Sequence, residues 1–393
     1  MKLIKIGLGR GVPAIGAILF SLYVASKLPA SEADVFFIWF TVVYVLSFFG
    51  KLGFDTYALR DLGTNVLSSA AECKRTAFVV STVLALGGLL WAPQEVWWLL
   101  FSLPAFSVAS INSSVLRAEQ KESLGGFLEV SLLSSVAFGI LFIQGLQDWV
   151  VTLELVSQSF AGGAVVVLLL GEFLVGKNHS LIGGGGFFSS LVPVGLRFVP
   201  SPLMIYLTQW IAVFFLSTAS TGAVSIYSVA VRLASGFAFI AITIDAFVAP
   251  RFARYFREGD KASITALIES VRKKSFLFLG ATFIVYALIG HYCIAIFIGV
   301  EYVESFYVSL VVAISYCSIL FVGPYQYLLL MGGGEKKVSL CNGVALLFVS
   351  LGSLLLWGLA IDEVWAYAGL VAFGRLVAIL LMKYFSRKIK FGV

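Results

Sequence analysis

Runs of apolar residues, interrupted by glycine, proline or a few charged residues, fill almost the whole chain. Reading each run between two breaks gives twelve segments of helical length. A bilayer core about 30 Å thick needs about 20 apolar residues per helix, and helices satisfy their own backbone polar groups in lipid. The pattern therefore predicts twelve membrane-spanning helices. They cover approximately residues 11–26, 35–51, 77–92, 96–115, 124–144, 152–174, 193–216, 222–248, 275–298, 306–330, 339–360 and 364–383.

The composition of the 393 residues agrees with this pattern. Hydrophobic residues make up 60% of the chain and charged residues 12%, and the mean hydropathy is +0.99. A soluble globular protein carries about 25% charged residues. The composition excludes that class and indicates an all-α polytopic membrane protein.

Lysine and arginine lie in alternate predicted loops, which are all on one side of the membrane. The loops on the opposite side contain only one basic residue, Lys27. By the positive-inside rule, both termini are expected in the cytoplasm. The net charge of +6 then reflects basic cytoplasmic loops, so no nucleic-acid partner is expected. The basic residues on the expected cytoplasmic side include Lys2, Lys5, Arg10, Lys51, Arg60, Lys74, Arg75, Arg117, Lys121, Lys177, Arg251, Arg254, Arg257, Lys261, Arg272, Lys273, Lys274, Lys336, Lys337, Lys383, Arg387, Lys388 and Lys390.

A glycine-rich segment divides the predicted helices into six and six. It contains the run Gly183 to Gly186, which lacks the lysine and hydroxyl residue of a phosphate-binding loop and is therefore interpreted as a flexible cytoplasmic linker. Two six-helix lobes around a central cavity follow, comprising residues 1–178 and 191–393, with residues 179–190 between them. Arg10-Gly-Val-Pro13 and Arg197-Phe-Val-Pro200 open the two lobes in the same way, as expected of an internal repeat.

A few charges fall where lipid disfavours them. Arg232 and Arg375 lie deep in the eighth and twelfth segments, and Arg197 lies at the start of the seventh. A buried charge of this kind costs about 2.5 to 3.5 kcal/mol on insertion scales, so it usually faces a polar cavity or forms a structural ion pair. Together with Arg10, these arginines are the candidate substrate-binding residues.

Acidic residues provide candidates for ion coupling. Asp55 and Asp245 lie near the end of the second segment of each lobe, and Glu129 lies in the fifth segment. Each also has a structural interpretation, because it can pair with a nearby cation or reach the interface. With four cysteines and two histidines, the sequence predicts no disulfide framework, no metal site, no catalytic site and no cofactor.

Residues 251–274 alternate charged and apolar side chains at roughly helical spacing. This pattern predicts a cytoplasmic helix lying on the headgroups, with its basic residues attracted to anionic lipid.

Several motifs resemble one family. Gly50-Lys-Leu-Gly-Phe-Asp-Thr-Tyr-Ala-Leu-Arg-Asp-Leu62 follows the second segment, Ala249-Pro-Arg-Phe-Ala-Arg254 follows the eighth, and Phe297-Ile-Gly-Val-Glu-Tyr302 follows the ninth. Gly323-Pro324 and Leu328-Leu-Leu-Met-Gly-Gly333 come later. Their order is similar to that in bacterial O-antigen and capsular polysaccharide flippases, within the multidrug/oligosaccharidyl-lipid/polysaccharide exporter superfamily. The resemblance covers essentially the whole chain.

This resemblance implies a flippase in the bacterial plasma (inner) membrane that moves undecaprenyl-diphosphate-linked oligosaccharide to the outer leaflet by alternating access. A proton or sodium gradient would drive the cycle for O-antigen or capsular polysaccharide synthesis. Arginines suit a diphosphate because they bind it through bidentate, charge-assisted hydrogen bonds. The expected partners are the lipid-linked substrate, the bilayer, and a polysaccharide polymerase with its chain-length regulator.

Two other functions stay open. A small-cation or drug exporter of the same superfamily would favour carboxylates in its cavity, whereas the deepest charges here are basic. A membrane enzyme of polysaccharide assembly, such as a polymerase or ligase, would need a large extramembrane loop or a cluster of acid and base residues. Neither is evident, so the sequence favours a transporter over an enzyme.

Overall fold

The computed structural model describes residues 2–60, 66–119, 121–129, 131–147, 149–176, 181, 192–297 and 299–387. The described chain is all-helical and forms two compact units, residues 1–203 and 204–393. The sequence predicts that the second lobe begins at residue 191, whereas in the structure residues 192–203 belong to unit 1. Gly195 explains this, because its position packs closely against the backbone of Leu52 and the ring of Phe54. The glycine run 183–186 lies outside the described residues.

Unit 1 is built from ten helices among the described residues. Its core is aromatic: Phe20, Phe36, Phe40 and Phe160 are fully buried and lie with their ring centroids 5.2 to 6.4 Å apart. The helices are α1 (Lys2–Lys27), α2 (Ala30–Gly50), α3 (Phe54–Arg60), α4 (Val66–Leu89), α5 (Trp97–Phe101), α6 (Leu103–Ala118), α7 (Glu122–Phe127), α8 (Ser131–Leu146), α9 (Leu153–Val175) and α10 (Val192–Gly195).

Unit 2 continues from α11, inside which the boundary between the units falls. In unit 2, α14 packs against α12, α13 and α17, and α16 packs against α17. The helices are α11 (Pro200–Leu216), α12 (Ala223–Glu258), α13 (Lys261–Phe297), α14 (Val303–Phe321), α15 (Tyr325–Met331), α16 (Glu335–Gly358) and α17 (Val364–Ser386).

The lengths and composition of these helices suit a bilayer. Among the described residues, eight helices are long and apolar enough to cross a membrane, or nine if α10 and α11 with the turn between them count as one bent span. The α8 helix and the first part of α14 are shorter apolar helices. With α4, these elements match the twelve predicted segments and confirm the polytopic all-α class.

Some predicted segments are broken. The fifth, expected to run continuously from 124 to 144, is two helices, which separate where Leu128 and Glu129 are not helical. The tenth breaks before Pro324, which has no N–H to continue a helix. The first break matters for function, because it contains Glu129.

The predicted surface helix over residues 251–274 is wrong. These residues are the adjoining ends of α12 and α13, joined by Gly259, whose φ of +68° suits glycine. Phe252, Ile264 and Val271 are buried in one cluster between the helices. The apolar side chains that suggested a membrane-facing stripe therefore pack against each other.

Candidate functional site

A polar cavity of about 300 Å³ lies inside unit 1. One wall is a face of α6, where Ser110, Ser113, Ser114 and Arg117 follow the spacing that places residues on one side of a helix. The beginning of α3 supplies another wall, and the break between α7 and α8 supplies a third. Those walls contribute Asp55, Thr56, Glu129 and Ser131.

Glu129 joins three elements at the edge of this cavity. Its Oε1 accepts from Arg117 Nη2 on α6 at 2.7 Å and lies 3.1 Å from Arg10 Nη2 on α1. The Arg10 side chain is only 8% exposed, and its Nε and Nη1 have no hydrogen-bond partner among the described residues. Glu129 therefore neutralises a cation that is otherwise removed from water.

Two glycines allow this close packing. A Cβ at Gly125 would lie 2.6 Å from the Ser113 carbonyl oxygen, and one at Gly126 would lie 2.7 Å from Arg10 Cγ. Any larger residue would push α7 away from α6 and α1. The Ser113 hydroxyl also donates to the Gly125 carbonyl at 2.6 Å, which fixes the serine face against α7.

Asp55 is held by its own neighbours at the start of α3. Its Oδ2 lies 2.6 Å from Lys51 Nζ, and its Oδ1 accepts from the Thr56 backbone N–H at 2.8 Å. Burial disfavours the ionised carboxyl, but Lys51, the Thr56 N–H and the more distant Arg117 outweigh burial and hold the pKa of Asp55 below its ordinary value. The carboxylate is therefore ionised at neutral pH.

A second buried ion pair lies elsewhere in unit 1. Lys74 on α4 is fully buried and donates to Glu172 Oε1 on α9 at 2.8 Å. The same oxygen accepts from Asn112 Nδ2 on α6 at 2.9 Å, and Oε2 accepts from the Leu181 N–H at 2.7 Å. This carboxylate therefore links three parts of unit 1 that are distant in sequence.

The deep arginines of unit 2 lie against aromatic rings. Arg375 on α17 lies 4.3 Å from the ring centroid of Tyr316 on α14, and its Nη1 is buried without a hydrogen-bond partner among the described residues. Arg232 on α12 lies 5.0 Å from the ring centroid of Trp210 on α11. The contact with Tyr316 stabilises the Arg375 cation but leaves its N–H groups able to bind an anion.

The structure brings together some of the predicted site residues. Arg10 and Glu129 form an ion pair, and Asp55 lies on the same cavity as Glu129. Arg197 is exposed, on the turn between α10 and α11. The Asp245 side chain lies outside the described residues.

Several residues of these networks were missed as site candidates. The sequence pattern places Lys74 and Arg117 in cytoplasmic loops and the serines of α6 within an apolar segment. The serine spacing on α6 was a usable signal, because three serines and an arginine fall on one helical face. The Lys74–Glu172 pair had no comparable signal, since its members are 98 residues apart.

Comparison with protein-family models and with curated protein sequences found no match. Among solved structures, the outward-facing conformation of a multidrug resistance MATE family transporter of the MOP superfamily is similar, with a TM-score of 0.69 and 15% identity, over 98% of this chain and 94% of that chain. This chain has the fold of that transporter.

Two further structures support the same fold. The inward-facing conformation of a MATE family transporter of the MOP superfamily has a TM-score of 0.67 at 12% identity and covers 97% of both chains. A MOP superfamily transporter from Pyrococcus furiosus Vc1 has a TM-score of 0.68 at 13% identity and covers 98% of this chain and 94% of that chain. Its binding pocket is described as reversed in polarity, which suggests a different function for that protein.

Proposed function

We propose that the protein is a membrane transporter that moves an undecaprenyl-diphosphate-linked oligosaccharide from the cytoplasmic to the outer leaflet by alternating access. Its fold is that of transporters solved in outward-facing and inward-facing conformations. The order of its sequence motifs resembles polysaccharide flippases, which belong to the same superfamily as these transporters. The proposed setting is a bacterial inner membrane, where a polymerase and a chain-length regulator would take up the product.

The proposed substrate is inferred mainly from the environment of Arg375. This arginine lies about midway along α17, and a buried arginine N–H without a partner is costly in a membrane protein. A diphosphate group would provide charge-assisted hydrogen bonds for it. Arg232 would offer a second cation from α12, while the lipid tail stays in the bilayer.

The test uses the native host with its chromosomal gene deleted and plasmid copies supplied. Arg232→Ala and Arg375→Ala should abolish surface polysaccharide, while each protein is still found in the membrane at the wild-type amount. Arg375→Lys keeps the charge but loses the bidentate geometry, so it should restore export only in part. Arg272→Ala, which removes an exposed arginine of α13, is the matched control and should export normally.

Normal surface polysaccharide from both alanine variants would refute the anion site. Accumulation of lipid-linked oligosaccharide in the deletion strain would separate a block in flipping from a block in sugar synthesis.

A drug or small-cation exporter is the second candidate. It is favoured by the multidrug transporters that share the fold and by the two carboxylates, Asp55 and Glu129, on the cavity of unit 1. Increased drug sensitivity of the deletion strain with intact surface polysaccharide would select this function.

We also propose coupling to a proton or sodium gradient through Asp55, Glu129 or Asp245. Transport into proteoliposomes should then respond to an imposed gradient of one of these ions. Transport that ignores both gradients would remove the coupling proposal.

A further inference from the structure

We infer that the cavity of unit 1 is a binding site for one neutral sugar ring. The cavity is defined by Asp55, Ser110, Ser114, Arg117, Glu129 and Ser131 together with the remaining lining residues given above. This inference rests on the proposed function and deepens it, since the sugar would be one unit of the lipid-linked oligosaccharide.

The first argument is the number of hydroxyl groups left for a ligand. Ser110 and Ser114 are buried residues on the cavity, yet their hydroxyls form no hydrogen bond with the described residues. The Ser131 hydroxyl also forms none, although the Ser131 carbonyl accepts from Ser135. Ser81 provides a contrast on the facing helix, because it donates to the carbonyl one turn earlier and is bonded to Ser107. The cavity hydroxyls therefore need water or a ligand as their partner.

The second argument is charge. Three cations, Lys51, Arg10 and Arg117, face two carboxylates, Asp55 and Glu129, and each carboxylate is already in contact with a cation. A small anion would meet both carboxylates, and a metal cation would meet all three basic groups. A neutral ligand avoids both penalties, because each carboxylate is already in contact with a cation.

The third argument is the mixture of donors and acceptors. Arg117 only donates, the two carboxylates only accept, and the serine hydroxyls do both. Each hydroxyl of a sugar both donates and accepts, so a polyhydroxylated ring can satisfy all three types at once. A single phosphate is a poorer match, because its charged oxygens only accept and would lie beside two carboxylates.

Size and access are consistent with a single ring. The volume of about 300 Å³ is at the lower end of ligand pockets, and it equals about ten water molecules at roughly 30 Å³ each. The Glu129 side chain is 30% exposed, so the cavity reaches the surface of unit 1. By the positive-inside rule, this end of the unit faces the cytoplasm, where the substrate is loaded.

The experiment measures binding of free glucose, galactose and N-acetylglucosamine to the purified full-length protein in detergent, by saturation-transfer difference NMR. At least one sugar should bind the wild-type protein. Ser110→Ala combined with Ser114→Ala removes two hydroxyls without filling the cavity and should weaken binding about tenfold. Ser114→Leu should fill the cavity and abolish the signal.

Two control variants test whether a loss of sugar binding is specific to the cavity hydroxyls. Ser107→Ala, on the same helix, removes a buried serine that bonds Ser81 instead of lining the cavity, and it should bind sugar normally. Arg272→Ala, which removes an exposed arginine of α13, should also bind sugar normally. Loss of sugar binding in the double serine variant, with retention in both controls, supports the site.

Three results would overturn the inference. The first is no sugar signal with the wild-type protein, which would mean a merely hydrated cavity. The second is an equal signal in all variants. The third is protection from thermal unfolding by inorganic phosphate or sodium, but by no sugar, that disappears in Ser114→Leu. A failure of the proposed function is detected separately. Intact surface polysaccharide in the deletion strain would refute the flippase proposal, whereas the binding of sugar to the purified protein would be unaffected.

Discussion

The two units stabilise buried cations in different ways. In unit 1, carboxylates from other helices neutralise them: Glu129 contacts Arg10 and Arg117, and Glu172 contacts Lys74. In unit 2, Arg375 lies against the ring of Tyr316, and among the described side chains no carboxylate is within ion-pair distance of it. A paired cation has part of its hydrogen-bonding capacity used, whereas a cation on an aromatic ring keeps its N–H groups.

This difference suggests a division of roles between the units. Removing one member of a buried ion pair leaves the other charge without compensation and is strongly destabilising. Replacing a buried charge that has no counter-charge by an apolar residue also removes the cost of keeping that charge out of water, so a small net loss is expected. The Lys74–Glu172 pair of unit 1, which does not line the cavity, should therefore be needed mainly for folding. Arg375 should be needed mainly for transport, and its removal should cost little stability.

The largest effect is expected from Glu172→Ala. This change leaves Lys74, which is fully buried, without a counter-charge, and it also removes the acceptor of Asn112. Breaking such a pair costs about 3–5 kcal/mol. Thermal unfolding of the purified protein in detergent should show a large decrease in the midpoint.

Two further variants test the cause of that decrease. Lys74→Met combined with Glu172→Gln removes both charges while keeping an acceptor for Asn112, so it should recover most of the lost stability. Lys121→Ala, which breaks the exposed pair with Glu119, should change the free energy of unfolding by less than about 1 kcal/mol. A double variant as unstable as Glu172→Ala would show that charge neutralisation is not the cause.

A smaller effect, dependent on pH, is expected from Asp55→Asn. The pKa of Asp55 is lower in the folded protein than in the unfolded chain, so its ionised form stabilises the fold above about pH 4. That contribution is lost as the pH falls through the folded pKa. Asp55→Asn should therefore be less stable than wild type at neutral pH, by up to about 1 kcal/mol, and the difference should shrink on acidification.

Thermal unfolding between pH 6 and pH 3 measures this difference. Lys51→Met removes the main partner of Asp55 and should show the same convergence with wild type at low pH. A difference that stays constant over this range would mean that the Lys51–Asp55 pair does not contribute through its charge.

The membrane helices could be predicted because hydrophobicity is a local property of the chain. The twelve apolar segments identify them without any knowledge of packing. The break at Glu129 could not be found in the same way, since it depends on how closely Gly125 and Gly126 let α7 approach α6 and α1. Likewise, Lys74 was expected in a loop because it is charged, whereas α4 extends to Val66 and Glu172 compensates its charge.

The candidate site could also be predicted from the sequence only in part. Arg232 and Arg375 stood out because lipid disfavours isolated charges, and the structure adds the aromatic rings beside them. The serine face of α6 was readable in principle, since Ser110, Ser113, Ser114 and Arg117 follow helical spacing. Its role depended on Asp55 and Glu129, which other helices bring to the same cavity.

The smallest effect on stability is expected from Arg375→Met. Methionine has a similar length and no charge, so it removes the cation–π contact with Tyr316, worth about 0.5 to 2 kcal/mol, together with the cost of the buried N–H. These terms oppose each other, so the free energy of unfolding should stay within about 1 kcal/mol of wild type while polysaccharide export is lost. A loss of stability as large as that of Glu172→Ala would remove the contrast between the units, because it would show that Arg375 supports the fold as Glu172 does.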